Sequence, residues 1–214
     1  MKSIRPIAAL VLLSMSPASR AADELSYQDV LSRLTDMQRL ASPVIPGERS
    51  GASTSHDRDS AYDTANGTYR NWSANDDGWG FIRKEGNDQV LVDLEGPGVL
   101  WRVWSAKPEQ GHIRIFLDGS TTPIVDKSFR SFFDDLEKDY PGLAMTLSRG
   151  RNEFVPIPFA KSCKVVMSEG WGAYFHATHT LFPKDTKIET FPGFTPERFR
   201  SLYPWETACG SRGN

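Results

Sequence analysis

The chain has two cysteines, Cys163 and Cys209, in 214 residues. That is too few for a fold built on disulfides, though one bridge between the two is permitted. Cys163 lies in an apolar, strand-like run and equally reads as a small buried hydrophobe. The chain has no excess of basic residues. Its 25 Lys+Arg against 27 Asp+Glu leave a net charge of −2, without the electrostatic footprint that nucleic acids or anionic membranes require. It lacks any apolar run of the roughly 20 residues a bilayer crossing takes. It also lacks a nucleophile elbow, a phosphate-binding loop, a dinucleotide glycine fingerprint, an internal repeat and heptads. No metal-ligand spacing stands out, and nothing in the residues calls for a cofactor. His176 and His179 are three apart on an expected strand, so they point to opposite faces and do not form a zinc pair.

What is present begins at the N-terminus. Lys2 and Arg5 precede an apolar stretch from Ile7 to Met15, and Ser19 and Ala21 place small residues at the −3 and −1 positions before Ala22. This order is that of a secretory signal peptide, residues 1–21, cleaved after Ala21. No cysteine follows the apolar run, so no lipid anchor is expected. The expected location is secreted or periplasmic, where a disulfide is permissible. Without residues 1–21 the chain keeps 22 Lys+Arg against 27 Asp+Glu, a formal charge of −5.

Residues 22–45 read as a helix and lead-in. Tyr27, Val30, Leu31, Leu34, Met37 and Leu40 recur at helical spacing, with Ser26 as N-cap and Pro43 as the stop. A polar, turn-rich stretch follows from Pro46 to about Gly80, and a loop of that length is usually functional. Short strands are expected at 90–94, 99–105, 112–117, 123–125, 143–147, 154–159, 164–167 and 173–182, separated by turns such as Gly96-Pro97-Gly98 and Asp118-Gly119. Residues 128–136 read as a brief helix or an aromatic loop. The fold class is therefore all-β, a single jelly roll or β-sandwich over 46–190 with an N-terminal amphipathic helix. The Pro-, Gly- and charge-rich residues 191–214 read as a linker-like tail.

Two groups of residues are candidates for contact with a ligand. In the polar stretch, Asp57-Arg58 and Asp63, with Asp76-Asp77 beyond, suit either a grip on sugar hydroxyls or plain Asx-turn chemistry. In the strand Val99-Leu100-Trp101-Arg102-Val103-Trp104-Ser105, alternation places Val99, Trp101 and Val103 on one face and Leu100, Arg102 and Trp104 on the other. An arginine is rarely buried without a partner. The Arg102–Trp104 face therefore either borders a cleft, where an indole stacks on a sugar, or carries an arginine snorkelling over an exposed ring.

Several longer motifs carry a resemblance. They are Tyr69-Arg70-Asn71-Trp72-Ser73-Ala74-Asn75-Asp76-Asp77-Gly78, Gly80-Phe81-Ile82-Arg83-Lys84-Glu85-Gly86, Glu95-Gly96-Pro97-Gly98-Val99-Leu100-Trp101-Arg102-Val103-Trp104-Ser105-Ala106, Ile113-Arg114-Ile115-Phe116-Leu117-Asp118-Gly119, Pro156-Ile157-Pro158-Phe159-Ala160-Lys161-Ser162-Cys163-Lys164 and Trp171-Gly172-Ala173-Tyr174-Phe175-His176. In this order they resemble glycoside hydrolase family 172 over roughly residues 27–195. The resemblance implies two tandem jelly rolls, trimers or larger homo-oligomers, and retaining action on α-fructofuranosyl or arabinofuranosyl linkages. It also implies a nucleophilic and an acid/base glutamate about 5 Å apart. The family's glutamates sit in motifs resembling Trp-Gly-Glu-Gly-Asp and Gly-Thr-Glu-Asp-Tyr in the second jelly roll, and neither occurs here. No catalytic residue is carried over. The chain stops at Asn214, about where the linker to the second roll is expected. His56 stands where the family usually has Tyr, and His179 where an aromatic residue is more common. The expected role is thus the first half of a secreted furanoside hydrolase, inactive alone, or a non-catalytic carbohydrate-binding or assembly jelly roll.

Overall fold

The computed structural model describes residues 24–43, 45–71 and 77–200. The expected signal peptide, Asp76, Cys209 and any pairing of Cys209 with Cys163 lie outside the described residues. Helix α1 covers Tyr27–Ser32 and begins in a capping box. Ser26 Oγ accepts the Asp29 N–H at 3.2 Å, and the Asp29 carboxylate accepts the Ser26 N–H at 2.9 Å. It buries Tyr27, Val30 and Leu31.

The periodicity through Leu40 predicts a longer helix than is found. After a turn, Asp36 accepts the N–H groups of Gln38 and Arg39 and starts a separate 3-10 turn, Met37–Ala41. The side chain of Asp36 competes for the backbone. Met37 and Leu40, 73% and 78% exposed, find no surface to pack on.

The strands, in chain order, are β1 (Arg49–Thr54), β2 (Ala61–Asp63), β3 (Thr68–Arg70), β4 (Arg83–Glu85), β5 (Asp88–Glu95), β6 (Gly98–Lys107), β7 (His112–Leu117), β8 (Val125–Ser128), β9 (Ala144–Leu147), β10 (Gly150–Glu153), β11 (Ile157–Phe159), β12 (Ser162–Ser168) and β13 (Ala173–Leu181). Helix α2 (Phe129–Asp139) separates β8 from β9, and α3 (Pro196–Arg200) follows β13. Two antiparallel sheets face each other. One runs β1-β13-β6-β10-β9 with β11 also on β6, and the other runs β4-β5-β12-β7-β8. This is the sandwich the turn spacing predicts. Val99, Leu100, Ile113, Ile115, Ile157, Phe159 and Met167, all 1% exposed or less, lie in its core. Each such side chain contributes about 1.5–3 kcal/mol of transfer free energy.

Several expectations are corrected. The polar stretch 46–80 is not structureless, for it holds β1 and the β2–β3 hairpin. β1 pairs with β13 along its whole length, from Arg49↔Leu181 to Thr54↔His176. Its small residues conceal a strand because the partner crowds it: a Cβ on Gly51 would lie 2.8 Å from His179 Nε2. The strand expected over 154–159 is found only at Ile157–Phe159, as β11, and β10, Gly150–Glu153, precedes it where no strand was expected. The two lie end to end along β6, opposite Val103–Ser105 and Gly98–Leu100. Between them Pro156, lacking an N–H, interrupts the ladder. Residues 128–136 resolve as a helix. Ser128 caps α2, which buries Phe129, Phe132, Phe133 and Leu136.

The segment after β13, linker-like in composition, packs against the core as far as α3. Phe191 and Phe199 are buried. The Phe199 ring lies 5.9 Å from Tyr27 and 4.8 Å from Tyr140, both edge-to-face. Tyr27 fastens α1 to the same place, its hydroxyl donating to Pro156 O at 3.1 Å and its N–H to Glu189 at 2.7 Å. Among the described residues no helix is long and apolar enough to cross a membrane.

Candidate functional site

The outward face of the β1-β13-β6-β10-β9 sheet collects the side chains with chemistry. Its geometry turns on a break in the β6–β13 register. Thr178 lies opposite Arg102 but the next residue, His179, lies opposite Leu100, so Trp101 is an extra residue. Such a bulge shifts the alternation by one. Trp101 was expected on the face opposite Arg102. Instead both line one groove, while Leu100 and Val103 are in the core. Trp101 Nε1–H donates to Thr180 Oγ1 at 2.9 Å.

Arg102 is held on all sides. Its Nε–H and Nη2–H donate to Asn152 Oδ1 at 3.2 and 2.8 Å, and Nη1–H approaches His176 Nδ1 at 3.5 Å. The guanidinium carbon lies 5.5 Å from the Phe154 ring centre and 6.0 Å from that of Trp104. Asn152 is buried and fixed in turn, its Nδ2–H groups donating to Gly150 O at 3.2 Å and Met145 O at 3.4 Å. Gly150 leaves room for the neighbouring indole, since a Cβ there would lie 2.3 Å from Trp104 Nε1. Burial holds the Arg102 pKa below its ordinary value. Burial and then the Arg102 charge lower that of His176, which keeps its imidazole neutral near pH 7.

A cross-strand row, Thr54–His176–Trp104–Asn152, runs over four strands from β1 to β10. At its β1 end Arg58 donates from Nη2 to Thr54 O at 3.0 Å and from Nη1 to His56 O at 3.4 Å. Burial lowers its pKa as well. Beside Trp101 and Arg102, a groove of about 1090 Å3 opens between the sheet face and the α1–3-10 segment. Thr178 and Thr180 line its floor, and on its wall Glu48 is paired with Arg33 at 3.2 Å and Arg39 at 3.1 Å. An indole, a phenyl ring, a guanidinium and threonine hydroxyls thus adjoin one groove.

Compared with known protein families, residues 46–198 match the GH172 first beta-sandwich domain. The chain belongs to the GH172 family. No curated protein sequence matches it. The matched segment of the GH172 chain runs from just before β1 into α3, so it includes the whole Arg58–Arg102 face, while α1 and the 3-10 turn precede it.

Of the residues singled out in the GH172 sequence, Arg58, Arg102 and Trp104 come together on this face. Asp57 does not present its carboxylate outward. It is 4% exposed and accepts the Asp59 N–H at 2.9 Å and an Asn71 Nδ2–H at 2.7 Å, clamping the loop that carries Arg58. Asp77 accepts the Asp57 N–H at 3.3 Å. Asp63 closes the β2–β3 hairpin through the N–H groups of Ala65 and Asn66 and the Asn66 side chain. Those bonds hold its carboxyl below the usual range. Trp101, Asn152, Phe154 and His176 were not singled out as ligand contacts. The bulge hid the first, and the other three, Asn152 and His176 on strands and Phe154 between β10 and β11, are distant in sequence from β6. Among the described residues no three His, Cys, Asp or Glu side chains form a metal-sized group. Cys163 lies in the core, its thiol pushed up to about 12 by burial, with Asp118 and Asp93 adding to the shift.

Proposed function

We propose that this GH172 domain contacts carbohydrate through the Arg58–His176–Trp104–Arg102 face, as the first β-sandwich of an exported, retaining furanosidase-type protein. Family membership carries the reading at the level of the fold. The one local observation that carries it to this face is the locked Arg102 between Phe154 and Trp104 beside an open groove. Rigid donors flanked by ring faces bind sugars at low entropic cost. The glutamate pair of retaining hydrolysis belongs to motifs that the 214 residues do not contain, so the domain holds or positions glycan and does not cleave it. Export is supported by the order of charge, apolar run and small residues before Ala22.

Two assays on the purified chain test this. Arabinofuranosyl and fructofuranosyl oligosaccharides should bind, and Trp104→Ala should weaken binding about tenfold, within the ~1–3 kcal/mol range of a base stacked on an aromatic ring. Nitrophenyl furanosides should release no nitrophenol. Turnover by the purified chain would overturn the non-catalytic role, and unchanged affinity in Trp104→Ala would overturn the choice of face.

A further inference from the structure

Among the described residues, the half-buried arginines and lysines follow one rule with two exceptions. Arg33, Arg39, Arg114, Lys127, Arg151 and Lys164 each contact a carboxylate. Arg58 and Arg102 are equally half-buried, and neither has a carboxylate of the described residues within 4.0 Å. Arg58 donates to two main-chain carbonyls, and Arg102 to a neutral amide oxygen and a neutral imidazole. A cation withdrawn from water costs free energy unless a counter-charge is supplied. The two are linked through one side chain, for His176 is opposite Thr54, whose carbonyl anchors Arg58, and touches Arg102.

The geometry at Arg102 defines what fits. Asn152 Oδ1 takes the side-on edge, Nε with Nη2. Nη1 and Nη2 each carry a second N–H beyond those directed at His176 and Asn152, and Arg102 lines the groove together with Phe154. Paired guanidinium N–H groups match the two oxygens of a carboxylate. We propose that the glycan taken by this face is acidic, with the carboxylate of a uronate residue seated on Nη1 and Nη2 of Arg102 and a neighbouring uronate within reach of Arg58. This rests on the glycan-binding reading above and adds the charge of the ligand.

Titration calorimetry on the purified chain tests it with three uronate oligosaccharides (galacturonate, alginate and heparosan), the methyl-esterified galacturonate, a sulfated dextran oligosaccharide and neutral arabinan and levan oligosaccharides. At least one uronate should bind tenfold or more tightly than the neutral and esterified sugars. Arg102→Gln should abolish that preference, Arg102→Lys should restore only part of it, and Arg58→Gln should reduce it. Neutral sugars binding as well as every uronate would overturn the inference and leave the glycan-binding reading standing. Binding of no glycan would overturn both. A uronate preference unchanged in Arg102→Gln and Arg58→Gln, or an Arg102-dependent preference for the sulfated sugar, would also overturn it. The esterified sugar makes the comparison on unaltered protein, so a variant that fails to fold does not shelter the proposal.

Discussion

Glu153 carries a carboxyl group into the interior, 1% exposed, near Tyr27 and Tyr140. Its carboxyl group accepts the Val155 N–H. Burial raises its pKa well above the ordinary value. The unfolded chain ionises this group near pH 4.3, while the folded chain keeps its proton to higher pH. Its stabilising effect is therefore complete below that pH and falls, as pH rises toward the folded pKa, by ~1.4 kcal/mol per pH unit. Glu153→Gln retains size and the Val155 acceptor, so urea midpoints should decline less as pH rises above about 4.3 in the variant than in the parent, and equal slopes would contradict this. His176 and His179, both lowered by burial, act in the opposite direction below about pH 6.5 and are common to both proteins. Gly80 gives a second residue-scale prediction. A Cβ there would lie 1.9 Å from the His56 carbonyl oxygen. Gly80→Ala should cost about 2 kcal/mol in denaturant titration and disturb Arg58, whose Nη1 lies 2.6 Å from the same position. At this scale the sequence reveals residue type more readily than role. Arg102 and Trp104 stand out as polar and aromatic side chains on a strand, but Asn152 looks ordinary until the fold places it under Arg102. Asp57 looks like a ligand until its bonds to Asp59 and Asn71 place it beneath the loop.

Elements whose apolar residues alternate regularly were readable in advance, and β7 lies where the sequence predicts it, at His112–Leu117. β1 was not, because an edge strand packed closely on its neighbour uses small polar residues that mimic a loop. The bulge at Trp101 was not, because it depends on the partner strand β13. The segment ending in α3 was read as a linker from its prolines and charges, yet its buried phenylalanines bind it to α1 and the core. Phe199→Ala should lose about 3 kcal/mol and expose the segment. Limited trypsin digestion should then cut after Arg198, which is 50% exposed, several times faster than in the parent, and an unchanged rate would show that Phe199 does not anchor α3.

For the whole molecule, the sandwich leaves Met37, Leu40, Ile45 and Leu147 substantially exposed, apolar side chains that another copy of the chain can cover. Oligomers are therefore expected by light scattering of the purified chain, and a stable monomer at micromolar concentration would contradict that. Leu25 pairs with Ile188, so little sequence lies between the expected cleavage site after Ala21 and the packed domain. Mass spectrometry of exported protein should find Ala22 at the N-terminus. The central claim is that glycan meets the Arg58–Arg102 face. It is tested most directly by NMR titration of the chain with an arabinofuranosyl oligosaccharide and an oligogalacturonate, following the indole and guanidinium N–H signals. The account predicts shifts at Trp101 Nε1–H, Trp104 Nε1–H and Arg102 Nε–H, with none at Trp171 Nε1–H, which is bonded to Gln89 in the interior. Shifts confined to the opposite sheet around Phe116 and Lys164, or none with either sugar, would contradict it.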